Sequence, residues 1–255
     1  MNSRLLITIP TWNEGLVIER NLNTLLQEIP RLLPEDDVLI EVADNGSTDG
    51  TRDLVRRLVE SFGQTVGRRP VRLELLVLQE RGKGIAIRRS WERHVDDRDI
   101  LAFMDADLAT DIRHLPELIT PLRERRASLV CGSRFALGAE VERGFFREAI
   151  SRLYRLCQFL ILHLPVKDAQ CGFKAIGADV ARRILPLCEE MTWLFDSELI
   201  ARVARQRLPI LEIPVAWMED RVPERHSSIR VLRHGWGFVR GLWRIRQNVR
   251  RLPMS

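Results

Sequence analysis

Two aspartates separated by a single residue form the pair best suited to chemistry in this sequence. Asp105 and Asp107 flank Ala106 directly after the apolar run DILAFM at 99–104. Carboxylates this close repel each other unless they share a proton or a cation. Mg²⁺ and Mn²⁺ prefer oxygen ligands, and proteins commonly hold them with one or two carboxylates and substrate phosphates. The pair therefore predicts a divalent-metal site; the alternative is that one aspartate caps the following helix and the other is solvated.

Further polar clusters follow other short apolar runs. They are PTWNE (10–14), DNGS (44–47), RGKG (81–84) and GSR (132–134). Lys83 lies between two glycines at a predicted helix entrance, which suits a bound phosphate but also fits an exposed lysine in a strand–helix loop. Asp44, Asn45 and the backbone N–H groups beside them could contact a base or a ribose, although such residues are also typical of a plain turn.

Alternating strand and helix patterns bring these clusters together. Short apolar runs predict five strands, at 4–10, 37–43, 71–78, 99–104 and 127–132. Helical periodicity between them predicts a parallel sheet with helices on its faces. Ligands bind such sheets beyond the carboxyl ends of the strands, where each cluster lies, so we expect a single site. The fingerprints G-x-G-x-x-G and G-x-x-x-x-G-K-[ST] are absent, which argues against a dinucleotide cofactor and a P-loop.

The second half is predicted to be more helical. Its patterns predict an apolar helix at 143–165, a glycine-containing loop at 166–176, a helix at 197–206 and an extended segment at 208–217. Arg134 and Arg147 flank the start of the apolar helix and could bind an anion with an apolar tail, or form ordinary surface ion pairs. Asp196 and Glu198 lie at a predicted helix start, where acids often serve only as caps or dipole partners; the structural role is favoured for Glu198.

The C-terminal tail has a basic, amphipathic pattern. From residue 225 onward it contains no acidic residue, and apolar residues recur at spacings of three and four: Ile229, Leu232, Trp236, Val239 and Trp243. This stripe predicts a helix that lies on an anionic membrane or packs on its own domain. We therefore divide the chain into a domain at 1–224 and a basic C-terminal extension at 225–255.

Composition sets the broad class. The chain has 255 residues, 45% hydrophobic and 29% charged, with a net charge of +5, as expected of a folded globular protein. No apolar run approaches the ~20 residues that cross a bilayer, no secretory pattern is present, and no nucleic-acid motif is found. Four widely spaced cysteines without a C-x-x-C pair predict reduced thiols in a cytoplasmic protein, soluble or peripheral on the membrane.

Taken together, the motifs resemble a known family. IPTWNE, DNGSTDG, RGKG, FMDADLAT and CGSRF occur in the order and spacing of the family 2 inverting glycosyltransferases of GT-A fold. Later segments resemble its dolichyl-phosphate glucosyltransferase and mannosyltransferase branch: FREAISRLYRLCQFLI, VKDAQCGFKAI, WLFDSELIARVA and LEIPVAWMED. RGKG, QCGFK and FDSEL are closer to the glucosyl type.

The resemblance implies both a fold and an activity. The fold is an α/β, Rossmann-like, mostly parallel sheet flanked by helices, with a C-terminal helical extension. The activity is metal-dependent transfer of a hexose, with inversion, from a nucleotide sugar to a polyprenyl or dolichyl phosphate at a membrane surface. UDP-glucose is the first choice of donor and GDP-mannose the second. A hydroxyl acceptor on a glycolipid or polysaccharide is the alternative, and Asp196 or Glu198 would then supply a base.

The resemblance also implies roles for individual residues. The nucleotide sugar would contact Pro10, Thr11, Trp12, Glu14, Asp44, Asn45, Lys83, Asp105, Ala106 and Asp107. The acceptor phosphate would contact Ser133, Arg134, Arg147 and Lys174, and Phe173 and Lys174 would close the pocket. A loop with Arg225, Ser227 and Ser228 would cover the diphosphate. Mg²⁺ or Mn²⁺ would bind Asp105 and Asp107, and the catalytic set would be Asp107, Arg134, Arg147 and Asp196.

Three departures from the family pattern affect these expectations. Asp44-Asn45 stands where the family usually has two aspartates, and an asparagine still accepts a hydrogen bond from a base. Ala109 stands where some mannosyl relatives have a metal-ligating glutamine, so we expect weak metal binding without nucleotide. Many relatives also carry C-terminal transmembrane helices, and this sequence shows none.

Overall fold

A seven-stranded, mostly parallel sheet forms the centre of the computed structural model, which describes residues 2–63, 71–142, 155–218 and 235–251. The strands are β1 (Arg4–Thr11), β2 (Asp37–Asn45), β3 (Val71–Leu78), β4 (Ile100–Met104), β5 (Leu129–Ser133), β6 (Glu140–Glu142), β7 (Phe173–Gly177), β8 (Ile210–Pro214) and β9 (Ala216–Met218). The sheet order is β3-β2-β1-β4-β7-β5-β8, and β6 pairs with β9 separately. All pairings are parallel except those of β7, which is antiparallel to β4 and β5.

Helices cover both faces of this sheet. They are α1 (Ile18–Leu32), α2 (Thr51–Gly63), α3 (Lys83–His94), α4 (Leu115–Arg123), α5 (helical at 155–162), α6 (Ala178–Ile184), α7 (Phe195–Arg205) and α8 (Gly235–Arg251). Short 3-10 turns lie at Ile112–His114 and Leu185–Leu187. Strands buried on both faces are nearly continuous apolar runs, which is why β1, β2, β4 and β5 were recognisable in the sequence. The predicted fold class is confirmed.

Each face of the sheet has its own apolar core. Along β1, Leu5 and Ile7 pack with α1, α2 and α4 on one face. Leu6, between them, packs on the other face with α3, α6, α7 and α8. The alternation follows from the two-residue period of a strand. The sheet therefore lies between two apolar cores.

The segment at 166–176 corrects one sequence prediction. It was expected to be a loop, but Phe173–Gly177 forms β7, inserted between β4 and β5. Its alternating residues enter opposite cores, with Phe173 on the α4 face and Ile176 on the other. The sequence did not predict this strand because Gly172 and Lys174 suggested a loop. A lysine is rarely buried without a partner.

Helix α8 packs on the domain with a face that only partly matches the predicted stripe, since Val239 contacts the second core. Phe238, Leu242, Ile245 and Val249 are buried in the second core, whereas Trp243 is 50% exposed. Phe238 stacks on the Trp193 ring with centroids 5.2 Å apart. The packing alternative is therefore observed for this helix. Ile229, Leu232 and the boundary at 224–225 lie outside the described residues, and the side chain of Trp236 is not described.

Two further properties bear on the class of protein. None of the helices in the described ranges is both long and apolar enough to traverse a bilayer. All four cysteines are free, as predicted. Burial raises the pKa of Cys171 to about 11 and that of Cys131 to about 12. Both therefore stay protonated and unreactive near neutral pH.

Candidate functional site

Asp105 and Asp107 lie in a tightly hydrogen-bonded turn at the end of β4. The Asp105 backbone N–H donates to the Gly172 carbonyl at 3.0 Å, and the Ala109 N–H donates to Asp107 Oδ1 at 3.1 Å. Leu108 has a φ of +50°, a left-handed conformation that costs energy for a residue with a side chain. This local strain and the hydrogen bonds set the direction in which both carboxylates point.

Gly172 makes this arrangement possible. A Cβ atom at this position would lie 1.9 Å from Asp105 Oδ2, far inside van der Waals contact. The chain entering β7 therefore approaches the carboxylate so closely that only a glycine fits. The sequence singled out Gly172 only as part of a loop.

Alternating charges extend inward from Asp105. Lys83 Nζ lies 2.7 Å from Asp105 Oδ1 and 3.7 Å from Asp196 Oδ2. Lys174 Nζ lies 3.2 Å from Asp196 Oδ1 and donates a hydrogen bond to the Cys171 carbonyl. Asp196 and Lys174 are nearly or fully buried, whereas the Asp105 side chain is 44% exposed to the cleft. The structure thus brings together four predicted site residues, but it separates Asp196 from the cleft by a lysine.

The charges of this network support each other. Burial alone would lower the pKa of Lys83, but attraction to Asp105 and Asp196 raises it above the ordinary value. Loss of solvent would raise the pKa of Asp105, yet the Lys83 ammonium brings it below the usual range. Burial would likewise lower the pKa of Lys174, but attraction to the Asp196 carboxylate outweighs this effect and raises the pKa of the lysine above its ordinary value. At neutral pH Asp105 is therefore a carboxylate and both lysines are cations.

Arg134 faces the aspartates from the end of β5 and is held by a partner that sequence reasoning missed. Its Nε and Nη2 donate to Asp168 at 2.7 and 2.9 Å, and its backbone N–H donates to the same carboxylate at 3.0 Å. The guanidinium carbon lies 5.7 Å from the centroid of the Trp217 ring. Burial opposes the ionised form of Asp168, but Arg134 lowers its pKa below the usual value. Ser133, beside it, is buried, and its Oγ accepts from the Phe135 N–H at 3.2 Å.

A small cleft of about 80 Å³ lies between these groups. It is lined by Met104, Asp105, Asp107, Leu108, Ala109, Thr110, Arg134, Gly172 and Trp217. Two carboxylates therefore face an arginine across a space of a few water volumes. Carboxylates have the chemistry to bind a divalent cation, and an arginine has the chemistry to bind a phosphate.

The predicted base and ribose contacts lie along the same edge, at the ends of β1 and β2. Thr11 and Asp44 are register partners in the sheet. Asp44 is fully buried, with Arg52 Nε 2.8 Å from its Oδ2. Trp12 lies under the Arg81 guanidinium at 5.3 Å, and its buried Nε1 has no hydrogen-bond acceptor among the described residues.

The remaining predicted residues fall into three groups. Pro10, Glu14 and Asn45 lie on this edge, partly or wholly buried, and Ala106 is buried in the aspartate turn. Glu198 accepts from Arg202 Nε at 2.8 Å and from the Glu190 N–H at 2.6 Å, contacts that agree with the structural role favoured for it. Residues outside the described ranges are Arg147, Arg225, Ser227 and Ser228. Their roles, and the functional roles of the other site residues, stay predictions.

The chain is similar to a known protein family over most of its length. Residues 6–185 match the family described as Glycosyl transferase family 2. The chain is 29% identical over 241 residues to glycosyltransferase AglD of Haloferax volcanii, covering 94% of this chain and 37% of AglD. It is 28% identical over 262 residues to dolichyl-phosphate beta-glucosyltransferase of Dictyostelium discoideum, covering 96% of this chain and 78% of that enzyme.

Solved structures share the same fold. Glucosyl-3-phosphoglycerate synthase from Mycobacterium tuberculosis, solved with Mn²⁺ and UDP-glucose, superposes with a TM-score of 0.62 at 18% identity, covering 99% of this chain and 81% of that one. The match extends over the whole sheet and its flanking helices, so the architecture is GT-A. The family match covers more than half of the chain. The chain therefore belongs to glycosyl transferase family 2 and is a glycosyltransferase of GT-A fold.

Proposed function

We propose that this chain transfers a hexose from a nucleoside diphosphate sugar to a polyprenyl phosphate. The observation that carries the proposal is the cleft in which Asp105 and Asp107 face Arg134. Asp105 and Asp107 would meet the diphosphate of the donor, and Arg134 would meet the phosphate of the acceptor. The dolichyl-phosphate enzyme of Dictyostelium supports this acceptor class, and UDP-glucose is the preferred donor with GDP-mannose the alternative.

Asp105 and Asp107 have the chemistry to hold Mg²⁺ or Mn²⁺. Both offer carboxylate oxygens to the cleft, and Lys83 keeps Asp105 ionised. Ala109 contributes no ligand, so donor phosphate oxygens would complete the coordination. The ion would offset the negative charge that develops on the leaving nucleoside diphosphate. Mn²⁺ is also present in the structurally similar mycobacterial enzyme.

Lys83 and Arg134 would position the two reacting groups. Lys83 begins α3, so the helix N-terminus and the ammonium both favour an anion there. The bidentate pair with Asp168 fixes the plane of the Arg134 guanidinium, and its Nη1 has no hydrogen-bond partner among the described residues. That nitrogen is therefore available to an acceptor phosphate.

Burial of Asp196 supports a phosphate acceptor over a hydroxyl acceptor. A hydroxyl nucleophile needs a base within hydrogen-bond reach, and the Asp196 side chain is only 2% exposed and flanked by two lysines. A phosphate monoester has a second pKa of about 6 and is already anionic at neutral pH. In-line attack by its oxygen on the anomeric carbon would form the new bond, release the nucleoside diphosphate and invert the anomeric centre.

An exposed apolar face supports contact with lipid. On α5, Leu156, Phe159 and Leu160 are 51%, 60% and 57% exposed, and their spacing places them on one side of the helix. Trp243 on α8 is also half exposed, and that helix carries arginines without acids. Aromatic and aliphatic side chains beside arginines suit a membrane with anionic lipid. We propose that this face meets the membrane surface, and that the protein is peripheral at its cytoplasmic side.

The test is a transfer assay with matched acceptors. The full chain is incubated with radiolabelled UDP-glucose or GDP-mannose and either a short polyprenyl phosphate or the corresponding polyprenol. Mn²⁺, Mg²⁺ or a chelator is present in parallel. We expect transfer to the phosphate only, loss of transfer in chelator, and loss in Asp107→Asn but not in Asp53→Asn, an exposed aspartate on α2. Equal transfer to the alcohol, or full activity in chelator, would contradict the proposal.

A further inference from the structure

A second group of potential metal ligands lies below the catalytic edge of the sheet. Glu41, Glu74 and His94 each bring one ligand atom to within 4.8 Å of the other two. Glu41 is in β2, Glu74 is its register partner in β3, and His94 is the last residue of α3. Glu41 precedes Asp44 by three strand residues, or about 10 Å. The cluster is therefore separate from the cleft, and the proposed reaction makes no use of it.

The buried carboxylate of Glu41 has an incomplete set of hydrogen bonds among the described residues. Its side chain is fully buried, and within the described residues its Oε2 has no hydrogen-bond partner. Its Oε1 faces Arg93 Nη1 at 3.1 Å and His94 Nε2 at 3.3 Å. A buried carboxylate oxygen without a partner is costly. The cross-strand neighbour Glu74 adds like-charge repulsion.

The orientation of His94 fits a metal ligand. Its Nδ1 lies 3.4 Å from Asp97 Oδ1, on the side of the ring away from Glu41. Metal-bound histidines commonly have a carboxylate at the second ring nitrogen, which fixes the tautomer and leaves the first nitrogen free to ligate. The separation of 3.3 Å between His94 Nε2 and Glu41 Oε1 is close to the ~3.4 Å expected for two ligands of a tetrahedral ion with bonds of about 2.1 Å.

We propose that Glu41, Glu74 and His94 form a binding site for a divalent transition metal ion, with Zn²⁺ the best match. A histidine beside carboxylates favours Zn²⁺ over Mg²⁺ or Ca²⁺, and three protein ligands leave the fourth position to water. The Arg93 side chain, 48% exposed, turns to solvent when the ion takes its place. The ion cross-links the C-terminal end of α3 to β2 and β3. It thereby stabilises the position of the helix whose first residue is Lys83.

Zinc binding is measured by equilibrium dialysis of the untagged, metal-stripped full chain without nucleotide. We expect about one Zn²⁺ per chain, with affinity reduced more than tenfold in Glu74→Gln and in His94→Gln. Asp97→Asn should weaken binding by about 10–100-fold, as a residue that only orients a ligand does. Glu60→Gln, an exposed glutamate on α2, is the matched control and should bind like the wild type.

Asp107→Asn separates this site from the catalytic one. Zinc binding that persists in Asp107→Asn but falls in Glu74→Gln places the ion in the new site. The proposal is overturned if the wild type retains no Zn²⁺, if Glu74→Gln and His94→Gln bind as well as the wild type, or if Asp107→Asn abolishes binding. Glu74 is partly exposed, so Glu74→Gln carries the test should His94→Gln fail to fold, as judged by circular dichroism.

Discussion

Replacing Gly172 with alanine should damage stability and catalysis for one local reason. The new Cβ atom would lie 1.9 Å from Asp105 Oδ2 and 2.1 Å from its Cγ. Either the carboxylate turns away from Lys83, or the chain entering β7 moves and breaks the hydrogen bond from the Asp105 N–H to the Gly172 carbonyl. Overpacking of this kind costs about 1–3 kcal/mol, and a lost hydrogen bond adds about 1 kcal/mol. We expect a loss of about 2–4 kcal/mol in the free energy of unfolding.

A double-mutant cycle tests the cause as well as the size of the effect. The three nearest atoms to the new Cβ all belong to the Asp105 carboxylate, and Asp105→Ala removes them. In the Asp105→Ala background, Gly172→Ala should therefore cost less than about 1 kcal/mol, a coupling within the range seen for residues in contact. Urea unfolding of the four proteins measures the cycle. Gly237→Ala on α8, where a Cβ meets nothing within 4 Å, is the control and should stabilise by up to about 1 kcal/mol.

Transfer activity supplies a second measurement on the same variant. A displacement of about 1 Å at a reacting group lowers rates by about 100-fold, and the Gly172→Ala clash requires a shift of that order. We expect kcat for the polyprenyl phosphate to fall by about this factor in folded Gly172→Ala. An unfolding cost that is equal in the two backgrounds, or activity within about twofold of the wild type, would refute the reasoning.

Four further substitutions test other parts of the structure. Asp168→Asn should lower stability above about pH 4, and the difference from wild type should shrink as the pH falls through the lowered pKa of Asp168; urea unfolding between pH 3 and 7 measures it. Arg134→Lys loses the bidentate geometry and should reduce kcat/KM for the acceptor by about 10–100-fold, while donor affinity in calorimetry stays unchanged. Phe159→Ser should weaken sedimentation with anionic vesicles without lowering Tm, whereas Leu242→Ala in the second core should cost about 2–5 kcal/mol in urea unfolding.

The sequence predicted the strands of the first half because β1, β2, β4 and β5 are buried almost throughout and mostly apolar. The edge strand β3 is only partly buried, but it is still mostly apolar. It also predicted where the polar clusters meet, since the carboxyl ends of parallel strands share one edge. Strand β7 was not predicted because Lys174 is typical of a loop, and its burial makes sense only with Asp196 as its partner. Lys174 and Asp196 are 22 residues apart in the sequence, and the local sequence pattern does not indicate that they pair.

The partners of the site residues were harder to predict than the residues themselves. Arg134 was identified as an anion binder, yet its carboxylate partner Asp168 comes from a segment 34 residues away. Asp44 was expected to face a ligand, and the structure pairs it with Arg52 from the following helix. Such contacts depend on tertiary packing that motif spacing does not encode. They also change the chemistry, because a paired side chain is oriented but partly neutralised.

A chain of buried charges connects the interior of the fold to the candidate site. Asp196 and Lys174 lie inside the fold, where each alone would be strongly unfavourable and together they are compensated. Lys83 connects that buried pair to Asp105 at the cleft. A cation bound to Asp105 would repel Lys83, and donor phosphate would attract it, so metal and nucleotide sugar are expected to bind more tightly together than either does alone. Metal binding without nucleotide is expected to be weak because Ala109 provides no ligand. The ion pair between Lys83 and Asp105 is a second cause, since the ion would compete with Lys83 for the Asp105 carboxylate until a donor phosphate attracts the lysine.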